Sequence, residues 1–272
     1  MNLIWEIIKL IIELLIIIFV SKNLLVPTLR KIGELLELKP QIIGNISGIA
    51  TSIPEFLTVT FSSISGMAEA GIFNILSSNI INSIQYILAI AINKNLRVLK
   101  NKALKINLIL VLLTIIIPII IWKIDIGDSV VIAVIYIILF YIFNKINKHY
   151  SGSLNTETKT ITHIKPNKKK IPIYLVYILL IGIILYLVGN LLSDTLENLC
   201  YIFNVSEIII GLILGVATSI PEFVTFIESQ RFHKNSNKEL GVIEASNNLL
   251  VSNTLNLFII QSISIIIINF LE

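Results

Sequence analysis

Long apolar runs separated by short polar connections dominate the chain. Eight runs, near 5–26, 40–65, 70–92, 104–122, 128–146, 171–192, 205–229 and 242–270, approach or exceed the roughly 20 residues a helix needs to cross the hydrocarbon core of a bilayer. The pattern predicts an all-α, polytopic transmembrane protein of about eight spans. Composition agrees. The 272 residues are 55% hydrophobic and 14% charged, against about 25% charged in a soluble domain, and the connections leave no stretch for a soluble domain. The lipid bilayer is therefore the expected surrounding. No nucleic-acid partner and no enzymatic activity are expected.

The first run carries Glu6, Lys9 and Glu13 at helical spacing, so all three share one face that packs inward or forms an ion-pair stripe. It lacks a basic leading region and a small-residue cleavage site, and is read as a span rather than a cleaved signal. The single Cys200 excludes an internal disulfide. Lys and Arg sort by connection. Nineteen of the 21 lie in the alternate connections near 22–39, 94–105, 145–170 and 231–238, leaving Lys123 on the other side and Lys9 within the first run. Short loops rich in Lys and Arg stay cytoplasmic. The expectation is an inner membrane of a prokaryotic cell, with both termini outside and the basic linker 147–170 in the cytoplasm. His149, His163 and His233 fall in these connections without a second ligand at metal-binding spacing and are read as solvated.

Two runs contain the same seven letters, ATSIPEF, at Ala50–Phe56 and Ala217–Phe223. The match continues at the same offset, pairing Ile43, Gly44, Gly48 and Thr58 with Ile210, Gly211, Gly215 and Thr225. Downstream, NILSSNIIN at Asn74–Asn82 matches NLLVSNTLN at Asn248–Asn256, after about seven extra residues in the second copy. This is an internal duplication. It divides the chain into a first membrane repeat, 1–146, with motif helices 40–65 and 70–92, and a second, 171–272, with motif helices 205–229 and 242–270. The motif helices are the second and seventh spans, which cross in opposite directions. Inverted repeats of this kind place a substrate site near the membrane midplane.

The duplicated letters are the costly ones. On a helix, Thr51, Ser52 and Glu55 direct their oxygens to one face, and Ser78 and Asn82 repeat the spacing on the next span. Thr218, Ser219, Glu222, Ser252 and Asn256 form the second set. Pro54 and Pro221 lack an N–H and clash with the carbonyl four residues back, which frees backbone oxygens near Ala50 and Ala217. Carboxylates, hydroxyls, amide oxygens and carbonyls are hard ligands that suit Ca2+. Nothing in the spans favours zinc or copper. Two ionised glutamates balance one divalent cation, so a site that releases the metal must take up Na+ or H+ instead. That coupling defines an antiporter. A lone glutamate bonded to a neighbouring hydroxyl could be structural, but a duplicated, inverted set containing proline points to function.

At these residues the chain resembles the cation/calcium exchanger superfamily, whose two alpha-repeats carry G-T-S-x-P-E followed by G-N-x-x-G-S-N-x-x-N. The resemblance implies a Na+/Ca2+-type or H+/Ca2+-type antiporter with no cofactor. It implies Glu55 and Glu222 as central ligands, with Thr51, Ser52, Ser78, Asn82, Thr218, Ser219, Ser252 and Asn256 around them. Asn74 and Asn248 then line the site or support its helices. Some members carry Asp where this chain has Asn82 or Asn256. The glycine before Thr-Ser is Ala in both copies, and Ser77 and Val251 replace another glycine. Members commonly have ten spans, so a homodimer or partner subunit supplying further helices is one expectation. The alternative reading is a non-transporting homologue that senses cations or assists assembly.

Overall fold

The computed structural model describes residues 3–36, 38–64, 66–124, 129–151, 170–203, 206–235 and 237–271. Among them every regular element is helical. Helix α1 (Leu3–Val20) passes through a π-turn (Ser21–Leu25) into α2 (Val26–Leu35). Helices α3 (Pro40–Thr51) and α4 (Ile53–Ile64) form one interrupted span, followed by α5 (Ala68–Ile92). A short 3-10 turn (Leu96–Lys100) leads to α6 (Lys102–Ile124), α7 (Val130–Ser151) and α8 (Ile171–Phe203). The second interrupted span is α9 (Glu207–Thr218) and α10 (Ile220–Phe232). The last is α11 (Lys238–Leu255), a π-turn (Asn256–Ile260) and α12 (Gln261–Leu271).

Seven of these spans are long and apolar enough to cross a membrane, so the protein is an integral membrane protein. The eighth expected run, α1, falls outside that group by its charge content, and the structure shows how the charge is accommodated. Glu6 and Glu13 are buried, Lys9 Nζ lies 2.6 Å from Glu6 Oε2, and Thr195 on α8 donates to Glu13 at 2.9 Å. Both expected fates of this face are realised, packing and ion pairing. Three boundaries differ from the sequence pattern. Residues 22–35, read as a connection, continue the first helix, because Pro27 falls in the first turn of α2, where no intrahelical N–H is required. The basic linker is shorter at its first end, since α7 runs to Ser151, whereas α8 starts at Ile171 as the pattern places it; positions 152–169, including His163, lie outside the described residues. The last span begins at Lys238, where the Asn237 side chain accepts the Glu239 N–H at 3.0 Å and caps the helix.

The duplication organises the packing. Helix α5 lies along α9, and α11 lies along α3, so each motif helix packs against the other half's partner. Small residues permit the approach. A Cβ added at Gly44 would meet the carbonyl of Glu244, and one at Gly211 the carbonyl of Ala70. Four residues on, Gly48 faces the carbonyl of Asn248 and Gly215 that of Asn74. In lipid, where helices gain nothing by hiding apolar surface from each other, this close backbone contact is what holds them together.

Candidate cation site

Each motif span breaks at its serine, and the reason is local. Pro54 and Pro221 occupy the second position of α4 and α10, where a missing N–H costs nothing but the preceding helix cannot continue through. The Ser52 and Ser219 N–H groups close α3 and α9 on the Gly48 and Gly215 carbonyls at 3.2 and 3.3 Å. The hydroxyls follow the same geometry. Thr51 donates to Ser47 O at 2.9 Å and Ser52 to Gly48 O at 2.9 Å. Thr218 donates to Leu214 O at 3.0 Å and Ser219 to Gly215 O at 2.6 Å. Thr51, Thr218 and Ser219 thereby spend their donors on backbone, while the Ser52 hydroxyl is shared between Gly48 O and Ser252 Oγ, each at 2.9 Å.

The structure brings all ten expected ligands and both supporting asparagines into the buried interior; none of the twelve is more than 3% exposed. Glu55 and Glu222 are fully buried and act on each other electrostatically. The interruption changes which oxygens meet. Thr218 and Ser78 stand next to Glu55, and Thr51 and Ser252 next to Glu222. Each carboxylate is thus attended by the threonine of the other motif rather than by its own, because the break at the serine swings Thr51 and Thr218 out of the helical phase assumed from spacing. Ser252 links the halves. It donates to Glu222 Oε1 at 3.2 Å and accepts from Ser52 at 2.9 Å and Asn82 Nδ2 at 3.4 Å.

The asparagines form a symmetric scaffold. Asn74 Nδ2 donates to Thr58 at 2.9 Å, and Asn248 Nδ2 to Thr225 at 2.6 Å. Thr58 and Thr225 in turn donate to the Glu55 and Glu222 carbonyls at 3.1 and 2.8 Å. Asn74 and Asn248 therefore hold the backbone that carries the glutamates. Between the halves, Asn79 Nδ2 donates to Asn253 O at 3.2 Å and Asn253 Nδ2 returns the bond to Asn79 O at 3.0 Å. Asn82 Nδ2 reaches Asn253 Oδ1 and Asn256 Nδ2 reaches Asn79 Oδ1, both at 3.2 Å. Asn79 and Asn253 were visible in the repeated motif, yet their part as the crossing point is legible only once the two copies face each other.

What remains unsatisfied defines the chemistry. Among the described residues, both carboxylate oxygens of Glu55, Glu222 Oε2, and the amide oxygens of Asn82, Asn248 and Asn256 are buried without a hydrogen-bond partner. These six oxygens, three of them on carboxylates, all belong to the residues of the two repeated motifs. Buried groups of this kind normally find a partner, and two carboxylates in a membrane interior demand positive charge. A hard cation supplies both.

The proline break can be tested directly. Pro54→Ala or Pro221→Ala restores the missing N–H and is expected to fuse α3 with α4, or α9 with α10, into a straighter helix. The variant should melt at a higher temperature yet bind Ca2+ more weakly, because Thr51 or Thr218 rotates back toward the regular phase. Unchanged affinity in both variants would assign the prolines to packing alone.

Not every sequence expectation for the site region holds. His233, read as a solvated loop residue, is buried, and its Nε2 lies 3.1 Å from Glu244 Oε2. Loop position hid this because the helix end folds back over α11. His149 is exposed.

Comparison with known proteins follows the same lines. Residues 7–145 and 173–271 match the family described as sodium/calcium exchanger protein. Among solved structures, the sodium-calcium exchanger NCX_Mj soaked with 10 mM Na+ and zero Ca2+ aligns with a TM-score of 0.59 at 20% identity, covering 98% of this chain and 84% of that one. The same exchanger soaked with 100 mM Na+ and 10 mM Sr2+ aligns with a TM-score of 0.61 at 20% identity, over 98% and 83%. A third, soaked with 2.5 mM Na+ and 0.1 mM Ca2+, gives 0.58 at 20% identity, over 97% and 82%. No curated protein matches the chain. At this identity the structural likeness establishes a shared helical fold.

Proposed function

The chain belongs to the sodium/calcium exchanger protein family, and from that premise we propose that it exchanges Ca2+ for Na+ across its membrane by alternating access. The observation that carries this reading is the group of six orphaned oxygens around Glu55 and Glu222. Ca2+ takes six to eight oxygens at about 2.3–2.6 Å. Two carboxylates neutralise its charge, and the Asn82, Asn248 and Asn256 amides with the threonine and serine hydroxyls supply neutral oxygens. When Ca2+ leaves, the carboxylates still need positive charge, and Na+ accepts the same donors. The solved exchangers that share the fold were soaked with Na+ alone or with Na+ and Ca2+ or Sr2+, which supports Na+ over H+ as the counter-ion. Both termini face outward in this reading, and the lysine-rich connections face the cytoplasm.

Inside-out vesicles containing the purified protein provide the test. They are expected to accumulate Ca2+ when a Na+ gradient is imposed and not when a proton gradient is imposed. Uptake driven by protons alone would replace Na+ with H+ in the cycle. No uptake under either gradient would overturn the exchanger reading.

A further inference from the structure

The two halves match closely in the ion site but not at the ends of the helices that enclose it. Glu244 precedes Asn248 by four residues, as Ala70 precedes Asn74, and the two take matching places in the fold: the Ala70 carbonyl faces Gly211 and the Glu244 carbonyl faces Gly44. One copy therefore carries a buried acid where the other carries a methyl group. Glu244 gathers partners from three elements. Arg30 Nη2 on α2 lies 3.0 Å from Oε1, Ser229 on α10 donates to Oε1 at 2.7 Å, and His233 Nε2, just past α10, lies 3.1 Å from Oε2. The Arg30 guanidinium also sits 4.3 Å over the Phe232 ring. Beside it, Asn95 donates to Gln230 at 3.1 Å and Asn101 to Glu239 at 2.8 Å, which ties the next connection to the same end.

The opposite end lacks the equivalent. Ser62 occupies the place of Ser229, and among the described residues its buried hydroxyl has no hydrogen-bond partner, since Ala70 offers no carboxylate. Ser63 meets Ser264 at 2.7 Å, a contact between neutral groups. No ion pair joins separate helices there among the described residues.

We infer that Arg30, Glu244 and His233 form a one-sided latch that closes the ion pathway at the end of the bundle carrying Arg30 and biases the protein toward the state open at the other end. The inference rests on the alternating-access reading above. In this inference, opening at the Arg30 end separates α2, and with it α3, from α11, and the Arg30–Glu244 pair is what holds α2 to α11. A cleft of about 330 Å³ lined by Val26, Pro27, Arg30, Glu228, Arg231 and Phe232 adjoins the pair, so the guanidinium has room to leave Glu244 without displacing backbone. A ligand-free equilibrium shifts only by the difference in free energy between its two states. An ion pair made in one state and broken in the other supplies such a difference, and the near-symmetry of the site does not.

The test reads accessibility rather than transport. In a Cys200→Ser background, Asn247→Cys places a thiol in the α3–α11 contact, where a Cβ at Gly44 would lie 3.1 Å from the Asn247 Cβ. Phe73→Cys places its counterpart between α9 and α5. A membrane-impermeant thiol reagent, applied from the Arg30 side, should label the first at least about tenfold faster when Arg30→Gln or Glu244→Gln is added, the factor given by about 1.4 kcal/mol of lost bias. Labelling of the second, from the opposite side, should slow or stay constant. Because one unpaired buried charge can unfold a protein, the double variant Arg30→Gln/Glu244→Gln is the decisive one; it leaves no charge behind and should label as fast as the singles. In transport, its KM for Ca2+ should fall on the Arg30 side and rise on the other, an opposed change that a purely structural lesion would not make. Unaltered labelling in the double variant, or equal acceleration on both sides, would overturn the latch. Labelling does not require turnover, so a wild-type protein that moved no Ca2+ would refute the exchanger reading while the latch still stood or fell by its own rates.

Discussion

Glu55→Gln and Glu222→Gln are each expected to lower Ca2+ exchange by at least about a hundredfold while leaving insertion and folding intact. Each removes one of two charges that balance the cation, and an amide of the same size preserves the packing. Removing one member of a buried charge pair costs roughly 3–5 kcal/mol, which corresponds to a hundredfold or more in affinity. The stability of the ion-free protein should move the other way. Glu55 is fully buried and faces the like group of Glu222, so replacing either by a neutral amide relieves the repulsion between two buried acids. A melting series without Ca2+ should therefore place both variants at or above the wild type. Adding Ca2+ should then raise the wild-type midpoint as a bound ligand does, and leave the variants where they were. Wild-type exchange by either variant, or an equal Ca2+-dependent shift in all three proteins, would remove the glutamates from the site.

The second large effect is expected at glycines, not at charges. A Cβ at Gly48 would lie 2.7 Å from the Asn248 carbonyl and 3.0 Å from Val251 Cβ. A Cβ at Gly215 would lie 2.5 Å from the Asn74 carbonyl and 2.7 Å from Ser77 Cβ. The obstacle is backbone in both cases, so α11 or α5 must move bodily to admit a methyl group. Overpacking of this sort costs about 1–3 kcal/mol. It also displaces Asn248 or Asn74, the residues that steady the glutamate backbone. Gly48→Ala and Gly215→Ala should each lose most Ca2+ exchange and melt several degrees lower. Gly182→Ala and Gly189→Ala, whose added Cβ would meet nothing within 4 Å, provide the control. If the first pair matched the second in both measurements, the close approach of the two halves would be dispensable.

Much of this was legible in the sequence because the chain states it twice. A repeated Pro-Glu pair inside an apolar run is too costly to be incidental, and the apolar runs placed the spans, although the first helix continues to Leu35 and α8 to Phe203, about ten residues past the expected ends. Three things were hidden for physical reasons. Helical spacing assigned Thr51 to Glu55, whereas the break at Ser52 hands it to Glu222, and no one-helix argument contains that rotation. Asn79 and Asn253 stood in the repeated motif without an assigned role, since a side chain that bonds the other copy's backbone leaves no mark within its own copy. His233 was read as a solvated loop residue, and Arg30 and Glu244 received no site reading. The signal that could have found them was the mismatch of Glu244 with Ala70 in an otherwise faithful pair of repeats, read as a difference to be explained rather than as drift.

The reciprocal bond between Asn79 and Asn253 also bears on how the chain is made. Asn82 and its acceptor Asn253 are 171 residues apart. At a synthesis rate of about 5–20 residues per second, the first half waits roughly ten to thirty seconds for the second. Throughout that interval α5 sits in or beside the membrane with Asn79 and Asn82 lacking the partners they will have in the finished protein. An amide without a partner in hydrocarbon is expensive, so the nascent first half is poorly suited to release into lipid and better kept beside the insertion machinery until its inverted copy arrives. Assembly of the polar core therefore waits for the second repeat, and a ribosome stalled within α8 leaves behind a half-protein with the spans of the first repeat made and its most polar face unmatched.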